Sequence, residues 1–232
     1  MILESGPNCK SGLCVIKYSQ IISLRGRYIP MFCQDYDTLV QTFEKRGFTV
    51  HSAASAQEAK ALVLSLVGAG ASVGLGGSMT LAALGVYEAL TASGHTVYDH
   101  AHSKEPDIYQ KENAADWYIA SANAITRDGR LINIDGRGNR VAGMITGPRE
   151  VVLVIGKNKL AANEAEGRLR AKNVAAPRNA KRLNLKTPCV GDGKCHDCTS
   201  PDRICCVTSI IEYRPYWVNA FHLILVDEEL GY

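Results

Sequence analysis

Cys189, Cys195, Cys198 and Cys205 follow one another as C-x5-C-x2-C-x6-C, and Cys206 comes directly after. A C-x2-C turn lets two thiolates reach one centre, the unit shared by zinc ribbons and iron–sulfur proteins. Four such groups so close together can surround one ion or one cluster. Zinc favours two C-x2-C knuckles, and only one is present here. An iron–sulfur cluster is therefore the expected cofactor, with zinc as the alternative and reduced, unliganded thiols as the plain reading. Lys194 and Arg203 would offset the thiolate charge. Cys206 should point away from Cys205, because successive side chains in extended backbone face opposite ways. Cys9, Cys14 and Cys33 read as ordinary thiols.

Two further stretches carry chemistry. "VGLGGSMT" joins a strand to a helix: Gly74, Gly76 and Gly77 bare the backbone and allow positive φ, and Ser78 and Thr80 fall at the start of the helix. Unpaired amides and the positive end of the helix dipole suit a phosphate or carboxylate there. The segment lacks the lysine of a P-loop and the third glycine of a dinucleotide fingerprint. "SANAITRDGRLINIDGRGNR" is the second stretch. Asp128 and Gly129 make a hairpin turn, whereas Asp135, Gly136, Asn139 and Arg140 form another glycine-punctuated loop at a strand end, with Asn123 nearby. Asp135 could take a proton, Asn139 donate a hydrogen bond, and Arg140 clamp an anion. The alternative is a hairpin with a surface arginine. No serine–histidine–aspartate signature or zinc-protease motif is present, and His95, His100 and His102 read as solvent-exposed; the catalytic residues are left unknown.

These residues need a frame. The 232-residue chain is 46% hydrophobic and 21% charged, the profile of a globular protein. Its formal charge of +3 is mild, and the basic run at 178–186 reads as a solvated face rather than a nucleic-acid footprint. No stretch approaches the ~18 apolar residues of a membrane helix, so no membrane partner is expected. Without an export signal the chain reads as cytoplasmic, where thiols stay reduced. Residues 1–30 share none of the later pattern and are expected to be a loosely ordered extension before a domain over 31–232, with a cysteine-rich segment over 186–207 within it. From Met31 onward helices and strands alternate. "EVVLVIG" and "FHLILVD" read as strands, and their apolar runs "VVLVIG" and "HLILV" fit strands covered on both faces. The helix "KLAANEAEGRLRAKNVA" should end at Pro177. The pattern predicts an α/β fold with an open, mostly parallel sheet and helices on both faces.

The text "VGLGGSMTL", "SANAITRDGRLINIDGRGNRVAGMITGP", "TPCVGDGKCHDCTSPDRIC" and "HLILVDEELGY" resembles the LUD (lactate-utilization) domain family, in its small stand-alone branch. The resemblance implies a NagB/RpiA/CoA-transferase-like fold, in which the loop matching Gly74 to Thr80 lies over a sugar phosphate or acyl-CoA. It also implies a place beside iron–sulfur and oxidase-like subunits in lactate oxidation. The catalytic glutamate of CoA-transferases has no match here, which leaves covalent acyl transfer without its residue.

The expectation is thus a protein that binds a small anionic metabolite between two glycine loops. It carries a four-cysteine centre and serves lactate or 2-hydroxy-acid utilization as an accessory or electron-transfer subunit. Its rivals are an isomerase, hydrolase or transferase on phosphorylated sugars or CoA thioesters with structural zinc, and a non-catalytic regulatory module.

Overall fold

A computed structural model describes residues 36–232. The expected extension over 1–30, the start of the domain at Met31, and Cys9, Cys14 and Cys33 lie outside the described residues.

Helix α1 (Tyr36–Lys45) buries Tyr36, Leu39 and Phe43, the stripe that a 3.6-residue period places on one face. It leads through Gly47, at φ +80°, into β1 (Thr49–Ala53). Helix α2 (Ala56–Leu66) is capped reciprocally: the Ser55 hydroxyl accepts from the Glu58 amide, and the Glu58 carboxylate accepts from the Ala54 amide. Strand β2 (Ser72–Leu75) runs into α3 (Met79–Leu84), and Gly85 at φ +62° separates α3 from α4 (Val86–Ala92). The single helix predicted here is therefore two short ones. Next come β3 (Thr96–Tyr98), α5 (Ile108–Ala114) and β4 (Trp117–Ala120). The hairpin β5 (Ala124–Thr126) and β6 (Leu131–Asp135) turns at Gly129, φ +86°, as its sequence demanded. After it lie α6 (Asn139–Ile145), β7 (Glu150–Gly156), β8 (Leu160–Ala161), α7 (Glu164–Arg170), α8 (Ala176–Arg182), α9 (Cys189–Asp192), β9 (Val207–Ile211) and β10 (Ala220–Val226).

Six strands form a wholly parallel sheet in the order β1-β10-β7-β4-β2-β3. In β7, Val151, Leu153 and Ile155 join Phe43, Tyr118 and Phe221 in one core, whereas Val152 and Val154 join Val63, Leu81 and Ile224 in the other. Alternate side chains thus meet apolar layers on opposite faces, which is why Val151 to Ile155 are all apolar. The fold class expected from the sequence is present. A second, four-stranded sheet, β8-β5-β6-β9, was not foreseen. It is tied to the first through Ile125, Leu131 and Ile211 in the core that holds Leu153.

Pro177 does not end its helix. A π turn at Ala171–Ala175 bridges α7 and α8, and Pro177 sits in the first turn of α8. The helix runs on through it, and the widened π turn before it accommodates the ring and the missing amide. Among the described residues, no helix is long and apolar enough to cross a membrane.

Candidate functional site

In a parallel sheet the loops after the strands share one edge, and ligands collect there. Here the segments following β2, β3, β4 and β7, joined by the one following β6 of the second sheet, surround a cleft of about 810 Å³. Of the residues the sequence singled out, Gly76, Gly77, Ser78, Asn123, Asp135, Gly136, Asn139 and Arg140 line it. Gly74 and Thr80 do not. Gly74 lies inside β2, where an added Cβ would come within 2.8 Å of the Glu112 backbone. Thr80 is buried, and its hydroxyl donates to the Leu230 carbonyl at 3.2 Å.

None of Gly74, Gly76 and Gly77 has positive φ. They are glycines for lack of room. A Cβ on Gly76 would approach the Tyr118 hydroxyl to 2.7 Å, and one on Gly77 would lie 2.9 Å from His100 Nε2. Ser78 caps α3 by accepting from the Leu81 amide at 3.3 Å. With α3 only six residues long, the helix dipole contributes less than the predicted continuous helix would. In the second loop, Gly138 at φ +80° opens α6. Asp135 Oδ2 accepts the Arg140 and Val141 amides, so this carboxylate caps α6. The Arg140 guanidinium donates to Asn123 Oδ1, the Ile134 carbonyl and the Ser121 carbonyl.

Arginine supplies positive charge around this space. Arg137, Arg140 and Arg182 all line the cleft. Arg137 stacks over Tyr109, and Arg182 donates to Asn179 and the Tyr232 hydroxyl. Among the described residues no carboxylate forms an ion pair with any of the three. By contrast the Asp99 carboxylate in the cleft is matched by His102 at 2.8 Å.

Two groups escaped sequence reasoning. Glu112, on α5, is fully buried, and its Oε1 accepts from both the His100 amide and the His100 ring at 2.7 and 2.6 Å. That hydrogen bond holds His100 above the usual imidazole range, against the opposing pull of burial. The ring's other nitrogen faces Gly77 across the cleft wall. Asp99, His100 and Glu112 are also the one set of three potential metal ligands whose ligand atoms lie within 4.8 Å of one another among the described residues. The available signal was Ile108 and Glu112 at i,i+4, an apolar stripe with an acid in it. Lys159 is the second group. It follows β7, is 2% exposed, and its Nζ meets Thr80 Oγ1 at 2.7 Å and Ser121 Oγ at 2.8 Å. A lysine in "GKNKLAANE" carries no sequence signal of burial.

The cysteine segment adjoins the cleft through Ile204, which lines it, and through the Cys206 amide, which donates to the Asp135 carbonyl. Asp197, at φ +45°, shapes the C-x2-C turn, and its amide donates to Cys195 Sγ at 3.4 Å. Burial pushes the Cys205 thiol up, and the nearby Cys195 and Cys198 push it further. Those three sulfurs share one neighbourhood, with Lys172 and Arg203 as counter-charges. Arg203 also ties the segment together by donating to the Cys198 and Cys205 carbonyls. Cys189 instead contacts the Thr187 hydroxyl at 3.2 Å, and exposed Cys206 donates to the Arg203 carbonyl. Among the described residues no three sulfurs lie mutually within 4.8 Å of one another. Tetrahedral zinc, at ~2.3 Å from each sulfur, would need them about 3.8 Å apart. The donor chemistry of these thiols suits a thiolate-bound centre.

A family model described as the LUD domain matches residues 36–226. Among solved structures the chain is similar to a DUF162 family protein from Deinococcus radiodurans, at 14% identity and a TM-score of 0.46, covering 82% of this chain and 97% of that one. No curated protein matches.

Proposed function

The chain belongs to the LUD domain family, associated with lactate utilization, and on that premise we propose that its cleft binds a small anionic metabolite of 2-hydroxy-acid metabolism. The observation that carries this reading is the set of three cleft arginines without carboxylate partners. Guanidinium groups left to neutral partners keep charge available for a carboxylate or phosphate. The glycine loop contributes shape, because Gly77 lets His100 come close.

His100 adds a titratable charge. Below its raised pKa the ring is cationic and attracts the anion; as pH rises through that value the attraction is lost. Calorimetric titration with lactate, with its oxidised counterpart and with inorganic phosphate tests the reading. At least one of the three should bind, with affinity falling several-fold from pH 6 to pH 9. His100→Asn should remove most of that fall. No heat with any of the three, or an affinity that rises with pH, would count against the site.

The proposal includes a thiolate-bound centre, iron–sulfur in preference to zinc, held by Cys195, Cys198 and Cys205 with Cys189 as fourth ligand. What supports it is the neighbourhood of the first three sulfurs and the amide hydrogen bond to Cys195. Such a centre would supply one-electron transfer beside the cleft, the role of an accessory subunit working with oxidase-like partners. Iron, sulfide and zinc analysis of anaerobically purified protein checks it, and Cys198→Ser should release the metal. Protein free of all three would contradict it.

A further inference from the structure

Lys159 is a buried amine without a counter-ion. Among the described residues no carboxylate pairs with it, and the charged groups that act on it are the cations Arg170 and Arg140. Burial first, and then those two cations, depress its pKa well below the ordinary lysine value. Buried lysines are rare unless paired, so this one calls for a reason.

The hydrogen bonds around it supply an independent argument. Thr80 Oγ1 donates its proton to the Leu230 carbonyl, and Ser121 Oγ donates its proton to the Val154 carbonyl at 2.6 Å. Each hydroxyl has one proton to give, so each can offer Lys159 only a lone pair. Two acceptors thus meet Nζ. A neutral amine has two N–H groups and one lone pair, which fits this shell and leaves the lone pair free. An ammonium would have a third N–H without an acceptor and a charge set among arginines.

Lysine beside other cations in a desolvated site is a known device for making a nucleophilic amine. We propose that Lys159 captures the carbonyl of a small 2-oxo acid as a Schiff base. The inference rests on the cleft being an anion site, since the arginines would hold the acid's carboxylate. In the step, the Nζ lone pair attacks the carbonyl carbon and the carbonyl oxygen leaves as water, taking both amine hydrogens. A C=N bond replaces C=O, and nothing is oxidised or reduced.

The full-length protein is incubated with glyoxylate or pyruvate and cyanoborohydride at pH 7, then digested and mapped by mass spectrometry. Lys159 should carry the reduced adduct, forming about tenfold or more faster than on exposed Lys104 and Lys186, because each unit of lowered pKa raises the free-amine fraction roughly tenfold. Lys159→Met, which keeps the apolar stem's volume, should lose that fast-forming adduct. Adducts on Lys104 and Lys186 with none on Lys159, while calorimetry shows the same acid binding, would overturn the lysine's role alone. Absence of binding would overturn the cleft reading and this inference with it.

Discussion

Gly74→Ala is expected to cost about 3 kcal/mol or more, at the upper end of what overpacking costs. The added methyl would sit 2.7 Å from the Glu112 carbonyl carbon and 2.8 Å from its Cα. Those are backbone atoms of α5, and they cannot rotate away as the tip of a side chain could. Either β2 bends out of its pairing with β3 and β4, or α5 moves outward. The second response carries Glu112 away from His100. A denaturant midpoint and an NMR titration of His100 measure the two consequences together: stability should fall and the imidazole pKa should drop back toward its ordinary value. An unchanged midpoint would show that α5 does not pack on β2 as described.

Gly143→Ala is expected to destabilise by about 2–4 kcal/mol, although a glycine-to-alanine change in an exposed helix interior gains roughly 1 kcal/mol. Gly143 lies in α6, and its missing Cβ would meet the Tyr118 ring at 2.5 Å. Tyr118 is fully buried, so the ring has nowhere to retreat. This contact seats α6, and with it Asn139 and Arg140, on β4. Tyr118→Leu removes the obstructing ring atoms while leaving a cavity of its own. The double variant should therefore be more stable than the sum of the two losses, with a coupling of about 1–3 kcal/mol by thermal or chemical unfolding. Strict additivity would mean that the two residues do not touch.

What could be read from the sequence was whatever local chemistry dictates. β7 and β10 declared themselves because strands covered on both faces read as nearly unbroken apolar runs, here Val151–Ile155 and Leu223–Val226. The turn at Asp128 and Gly129 was legible because a tight hairpin loop needs a residue at positive φ, the place Gly129 takes between the paired Thr126 and Arg130. The two glycine loops were recognised as loops, and they do meet across one cleft. The reason for the glycines was not legible: Gly74 and Gly76 avoid Glu112 and Tyr118, neighbours distant in sequence. The second sheet escaped for the same reason, since "RLINID" and "VTSIIEY" look like any strands until β6 pairs with β9 rather than with β7. Lys159 and Glu112 were invisible because burial of a charged residue is a tertiary fact. So is the separation of the cysteine sulfurs, which spacing along the chain bounds without fixing.

The central claim is that negative charge is received between the loop at Gly76–Ser78 and the arginines of the cleft. Backbone amide NMR of the protein titrated with the tightest-binding of the three anions tests it most directly. The account predicts saturable shifts at Gly76, Gly77, Ser78, His100, Arg137 and Arg140, with smaller changes at the far ends of β1 and β10. Shifts confined to residues outside the cleft, or linear shifts that never saturate at these amides, would contradict it.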